Sequence, residues 1–258
     1  METPFLFFNI IKMVIKLLGI IKGDARYEYL KSEKVILSDE IEDFYNIDTL
    51  LLPLMGIDDK YNIKQSKLNL LDVFKYNSIK KIIVGKANTR LKEFCESKKI
   101  ALYEFLNDED YVIENAKLTA MGIIEYLNTD GVSIKDKKIT IFGFGNIGFE
   151  LAKMLSIYET KFDIYSTDEV ENKFIKLLNY TKADFSNMQI IINTIPSNLN
   201  WDYEIFKDKR IIDVASWPYG FDIAKINNLN IKYEILSSIP AKFYPYSAAQ
   251  IIKKYIEK

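Results

Sequence analysis

Ten short runs dominated by apolar residues recur along this chain, each followed by a polar or amphipathic stretch, and this rhythm limits the fold more than any other feature. In the first half the runs are "VIKLLGI" (14–20), "KVIL" (34–37), "TLLLPL" (49–54), "KKIIVG" (80–85) and "IALY" (100–103). In the second half they are "KKITIFG" (137–143), "KFDIY" (161–165), "MQIIINT" (188–194), "RIIDVA" (210–215) and "IKYEIL" (231–236). Such runs read as buried strands, and their alternation with helical stretches is the pattern of a parallel sheet covered by helices. Asp24 and Asn88 are suited to cap helices that follow them. "DYVIENAKLTAMGIIEYLNTDG" predicts a long helix ending near Asp130-Gly131, and "SAAQIIKKYIEK" a closing helix with Ser247 at its N-cap.

One stretch carries chemistry. "IFGFGNIGFELAKML" (141–155) sets Gly143, Gly145 and Gly148 between a buried strand and a run with helical apolar spacing. A three-glycine match is weak by itself; the strand-turn-helix context is what the dinucleotide fingerprint requires. The first glycine allows the tight turn, the second lets the backbone approach a pyrophosphate, and the third lets helix and strand pack closely. Amides at the helix N-terminus then face the phosphates. The loop Gly143, Phe144, Gly145, Asn146, Ile147 and Gly148 is therefore the expected cofactor cradle, a purely structural turn being the alternative. Asn193, Thr194 and Pro196 of "NTIP" end a neighbouring strand and are expected near the nicotinamide ribose, unless they form only a proline-fixed turn.

These features give the expected fold class: α/β, with two Rossmann-like parallel-sheet domains joined by a long helix and a cleft between them. Residues 1–12 read as an N-terminal extension, with Met13 as the natural start, the alternative being a peripheral membrane anchor. Residues 13–115 read as a Rossmann-like substrate domain. Residues 116–258 read as the dinucleotide-binding domain, with 116–130 the connecting helix and 247–257 the closing one. The 258 residues suffice for both, since about 100–150 residues can bury one core.

The choice between NAD and NADP stays open. An acidic residue about 20 positions beyond the first glycine would bind the ribose 2′-hydroxyl and repel a 2′-phosphate. Asp163 has that spacing, but the strand tip is better placed at Ser166, Thr167 and Asp168. Ser166 and Thr167 suit a 2′-phosphate, with Lys173 a further candidate, whereas Asp168 argues for NAD.

Composition removes several alternatives. The chain has no histidine, which excludes Ser-His-Asp and Cys-His hydrolysis, the usual zinc sites and histidine acid/base catalysis. A net charge of -1 offers no basic surplus for nucleic acid. No metal site is expected. Cys95 is the single cysteine, read as a structural thiol in a reducing cytoplasm. Lys12 and Lys16 interrupt the apolar N-terminal stretch, so a membrane span is not expected.

Arginine is scarce, at positions 26, 90 and 210. Arg26 lies in "GDAR", directly after the first run, where an α/β sheet presents its ligand edge. Its planar fork suits a substrate carboxylate, the alternative being an ion pair with Asp24. Arg90 reads as a solvated helix residue, with Lys86 and Asn88 as rival contacts. Ser216 ends a strand of the second half, and Lys242, Tyr244 and Tyr246 are read on a loop.

Taken with "NTIPS" (193–197), "IIDVASWPYGFD" (211–222) and "SSIPAKFYPYSAAQII" (237–252), the glycine loop gives a chain that resembles the A subunit of dipicolinate synthase, a family of endospore-forming bacteria. "KGDARYEYL", "DTLLLPL" and "ENAKLTAMG" extend the similarity over nearly everything after residue 13. The resemblance implies oxidation of dihydrodipicolinate to pyridine-2,6-dicarboxylate during sporulation, with hydride passing to NAD(P). It leans toward NADP, and implies a small dicarboxylate substrate and a flavoprotein-like B subunit; a homo-oligomer is also expected. Asp24, Arg26, Asn88, Ser216 and Tyr246 are the expected substrate contacts, and no catalytic acid or base is assigned. Departures from the family pattern fall at Leu118–Gly122, Tyr219-Gly220, Ser237–Ala241, Pro245–Ala249 and near Thr167, where the family often has an arginine. The alternatives are a related two-domain dehydrogenase of the shikimate or methylene-tetrahydrofolate type, or a non-catalytic nucleotide-binding partner.

Overall fold

The computed structural model describes residues 17–131, 133–227, 229 and 231–257. The chain divides into two compact units, one ending at Phe105 and the other beginning at Leu106. The N-terminal extension and residues 14–16 of the first apolar run lie outside the described residues.

In the first unit, β1 (Leu17–Ile21), β2 (Val35–Ser38), β3 (Ile47–Leu51), α1 (Leu70–Lys75), β4 (Lys81–Val84), α2 (Thr89–Lys98) and β5 (Ala101–Glu104) follow in that order. The five strands form one parallel sheet in the order β2-β1-β3-β4-β5. The second unit opens with α3 (Glu109–Thr129), β6 (Ile139–Phe142), α4 (Asn146–Ile157), β7 (Phe162–Tyr165) and α5 (Glu169–Leu177). It continues with β8 (Ile190–Asn193), β9 (Arg210–Asp213), α6 (Ile223–Asn227), β10 (Lys232–Ile235), α7 (Ile239–Phe243) and α8 (Pro245–Ile256). Its sheet is also parallel and ordered β10-β9-β8-β6-β7. Every apolar run carries a strand, and both units are Rossmann-like.

Apolar burial holds each sheet. β6 and β8 are buried at every position. A side chain such as Ile192, fully removed from solvent, contributes about 1.5–3 kcal/mol. Exposed ion pairs such as Lys67–Glu40 add little by comparison, because water screens them.

Four local readings differ from expectation. The segment after Asp24 is a 3-10 helix, Ala25–Leu30, because the Asp24 carboxylate takes the amide only two residues on, at Arg26. The long helix starts at Glu109, where Asp108 caps it, and it belongs wholly to the second unit. There Ala116, Ala120, Ile123, Ile124 and Leu127 are buried along it, and it packs on α4, α7 and α8. The unit boundary therefore falls ahead of the one expected near residue 115. Finally, α8 begins at Pro245 rather than after Ser247. Proline at the first helical position needs no amide partner, so Ser247 is left inside the helix. Asn88 caps α2 as expected, its side chain accepting from the Leu91 amide.

Asp108 joins the two ends of the second unit. Its carboxylate accepts from the Tyr111 amide at the start of α3 and from the Tyr255 hydroxyl on α8. Burial, followed by that hydrogen bond, raises the Tyr255 hydroxyl well above its ordinary range, so it stays a donor. Asp108→Ala is expected to destabilise this unit by about 1–2 kcal/mol, read as a lower midpoint of thermal unfolding.

Candidate functional site

The strand order places the first strand of the second unit, β6, between β7 and β8, so the chain leaves β6 and β8 in opposite directions. In an open α/β sheet, ligands bind at this switch point, outside the carboxyl ends of the strands. Three loops meet at that edge: Gly143–Gly145 after β6, Ser166–Asp168 after β7 and Thr194–Pro196 after β8.

The glycines of the first loop serve different purposes. Gly143 has φ +93°, and a Cβ on it would lie 2.4 Å from Thr194 Oγ1. Gly148, inside α4, would place a Cβ 2.1 Å from the carbonyl oxygen of Gly143. Both are required by the protein's own packing. Gly145 is different: a Cβ there would meet nothing nearer than Glu171 Oε1 at 3.8 Å, and its φ is -69°. The chain places a glycine where its own backbone and neighbours would accept a side chain, on the side facing open space. Neither backbone strain nor crowding by the protein itself requires glycine at this position.

That space is a cavity of about 400 Å³ lined by residues of the second unit. It collects Gly143, Gly145, Asn146, Ile147, Ser166, Thr167, Thr194 and Pro196 of the expected cofactor residues. The other three lie behind it. Phe144 turns its ring into the core against Phe149 and Tyr180, Gly148 provides the helix contact, and Asn193 is fully buried. The Asn193 amide donates to Asp213 and to the Ile195 carbonyl, while its oxygen accepts the Ile195 amide. It shapes the turn after β8 instead of facing the cavity.

Of the expected substrate residues, Asp24, Arg26 and Asn88 make hydrogen bonds within the first unit. Arg26 donates through Nε and Nη2 to both oxygens of Asp24, at 2.8 and 2.5 Å, with both side chains buried. Asn88 uses both ends of its amide, one capping α2 and the other donating to the Ile57 carbonyl. Ser216 is exposed on the loop after β9, and Tyr246 is the second residue of α8, 61% exposed. Lys242 lies in α7 and Tyr244 between α7 and α8, so the expected loop is helical. Asp163, the acid at 20-residue spacing, is fully buried, paired with Lys138 and accepting the Asp184 amide. Arg210 binds Asp130 and Glu234 at 2.6 Å each. Arg90 lies near Glu93 and over the Tyr61 ring.

Three contributors escaped the sequence reading. Glu171, in the first turn of α5, lines the cavity and takes the Phe144 amide and the Ser166 hydroxyl on Oε2. The early turns of α3 supply Tyr111, Val112, Asn115 and Ala116 as a further wall; the segment looked like a connector because its apolar spacing reports only the core face. Asp213, fully buried at the end of β9, accepts from Asn193, the Ala215 and Gly220 amides and the Tyr233 hydroxyl. Burial and the facing Asp213 carboxylate raise the Tyr233 hydroxyl far above its ordinary range, keeping it a donor. The paired signal for such a network, a strand-ending Asn and a strand-ending Asp, was present but is common.

No protein-family profile matches the chain. It is 23% identical to the dipicolinate synthase A subunit of Bacillus subtilis (strain 168) over 238 residues, covering 85% of this chain and 80% of that protein. The structure of the dipicolinate synthase A subunit from Bacillus halodurans superposes with a TM-score of 0.72 at 20% identity, covering 94% and 97% of the two chains. This chain is similar to the A subunits of dipicolinate synthase. A D-isomer specific 2-hydroxyacid dehydrogenase from Lactobacillus delbrueckii ssp. bulgaricus, in its NAD complexed form, aligns with a TM-score of 0.53 at 12% identity over 94% and 95% of the chains. The fold is thus one that dipicolinate synthase A subunits share with nicotinamide-dependent dehydrogenases. Of the segments carrying the resemblance to dipicolinate synthase, "NTIPS" contributes to the cavity, whereas "SSIPAKFYPYSAAQII" forms α7 and most of α8.

Cys95 is buried, and desolvation pushes its thiol up to about 11. Alkylation of the native protein by iodoacetamide at pH 8 is expected to run at least roughly a hundredfold slower than in the unfolded chain, since the thiolate reacts. The two kinds of glycine also separate by experiment. Gly148→Ala is expected to cost about 1–3 kcal/mol through overpacking. Gly145→Ser, which keeps a good N-cap for α4, is expected to stay within about 0.5 kcal/mol of the parent. Thermal unfolding of both variants checks the difference.

Proposed function

We propose that the protein is a nicotinamide-dependent oxidoreductase of the dipicolinate synthase A type, converting dihydrodipicolinate to dipicolinate in the cytoplasm of a sporulating cell with a flavoprotein-like B subunit. The observation that carries this reading is the cavity at the switch point, where Gly145 is open to a ligand. Likeness in sequence and fold to the dipicolinate synthase A subunits over most of the chain supports the choice of substrate.

The site residues fit the cofactor. The amides at the start of α4 and the open face of Gly145 would receive a pyrophosphate, and Thr194 and Pro196 would border the nicotinamide ribose. When bound, the cofactor supplies the hydride acceptor. The substrate gives up one hydride and one proton as its ring becomes aromatic. That gain drives the reaction, so the protein's part is chiefly to orient the ring and hold two carboxylates. A chain without histidine can perform this work. Asp24, Arg26, Asn88, Ser216 and Tyr246 are the proposed substrate contacts, and Arg26 would have to exchange Asp24 for a substrate carboxylate.

That same Asp24–Arg26 pair favours a second reading, a protein that binds the nucleotide without turning over substrate. The test combines the protein with dihydrodipicolinate generated in situ, NAD or NADP, and the flavoprotein-like partner. The expected result is ultraviolet absorption of the aromatic product, reduced about tenfold or more in Gly145→Ser, whose side chain crowds the pyrophosphate. Cofactor binding without product under any of these conditions would replace the enzyme reading with the second one.

A further inference from the structure

The cavity carries a charge pattern that bears on which nicotinamide cofactor it accepts. Two carboxylates line it, Asp168 and Glu171, and among the described lining residues there is no lysine or arginine. Lys173, the basic residue nearest in sequence to these two carboxylates, is exposed on α5 and is not part of the lining. Asp168 Oδ1 accepts the amides of Val170 and Glu171, holding the start of α5 against the tip of β7. Glu171 bridges the two loops that matter: its Oε2 accepts the Phe144 amide at 2.9 Å and the Ser166 hydroxyl at 2.5 Å. Its Oε1 is the atom closest to the open side of Gly145.

We propose that Glu171 is a specificity-determining residue that selects NAD over NADP. The inference rests on the dinucleotide reading of the cavity, and it reverses the lean toward NADP that the family resemblance implied. In a glycine-loop site, the adenosine ribose lies between the loop and the tip of the second strand; in this unit that strand is β7, and Glu171 spans that gap. A carboxylate there accepts a hydrogen bond from a ribose hydroxyl. A 2′-phosphate would instead bring about -1.5 to -2 charges against two carboxylates with no cation among the described lining residues. The Ser166 hydroxyl, one of the groups the sequence offered to a 2′-phosphate together with Thr167 and Lys173, already donates to Glu171. The 20-residue spacing rule points to the buried Asp163 and misses Glu171, because the acid reaches the strand tip from the following helix.

Isothermal titration calorimetry of the full chain with NAD and with NADP tests this directly. The expected result is NAD binding tighter by about tenfold or more, the ratio shrinking by about tenfold in Glu171→Gln. Glutamine keeps an acceptor for the Phe144 amide while losing the charge. Asp168→Asn, which retains the cap on α5, serves as a second charge-removing variant should the first fail to fold, with thermal unfolding as the check. NADP binding as tightly as NAD to the parent protein would overturn the proposal and leave the dinucleotide site standing. An unchanged ratio in a folded Glu171→Gln would overturn it too. Binding of neither nucleotide would remove the dinucleotide reading and the proposal together.

Discussion

The second unit depends on how closely the N-terminus of α4 can approach the end of β6. Gly148 lies so near the Gly143 carbonyl that even one methyl group would collide with it. This contact seats the helix on the strand and turns its free amides toward the switch point. It also forces Gly143 into a left-handed conformation, with Thr194 closing against it. Gly143 and Gly145 of this loop are among the residues lining the cavity.

A second constraint lies one strand away. Asp213 removes a carboxylate from water, which would cost several kcal/mol without compensation. Four donors from Asn193, Ala215, Gly220 and Tyr233 surround it, each hydrogen bond to a charged group contributing about 1.5–3 kcal/mol. The network ties the end of β8 to the end of β9, so the loop bearing Thr194 and Pro196 departs at a defined angle. Asn193 fixes the turn from which that loop departs.

The opposite ends of the same strands show how polar groups divide between structure and ligand. Lys138 and Asp163 pair at the amino-terminal side, and Arg210 there joins Asp130 at the end of α3 to Glu234 on β10. In the first unit, Arg26 and Asp24 satisfy one another after β1. Arg26 looked like a carboxylate receptor in the sequence. The folded chain supplies carboxylates of its own to Arg26 and Arg210, because a buried guanidinium without a partner is too costly to leave.

Much of the architecture was legible from residue order alone. Apolar runs report burial directly, so the strands were found, and the three glycines in a strand-turn-helix context located the switch-point loop. Helix starts were less legible, because Ser247 competes with Pro245 and Asp24 closes a tighter turn than a helix requires. The sequence by itself determined two parallel sheets and a glycine loop at the switch point, since these depend on local periodicity and on the absence of Cβ atoms. Only the tertiary structure decided which polar side chains are free to meet a ligand. Glu171 reaches the loop from the next helix, Asp163 turns inward and Asp213 gathers donors from four places in the chain; those outcomes depend on distances between residues far apart in sequence, which no spacing rule contains.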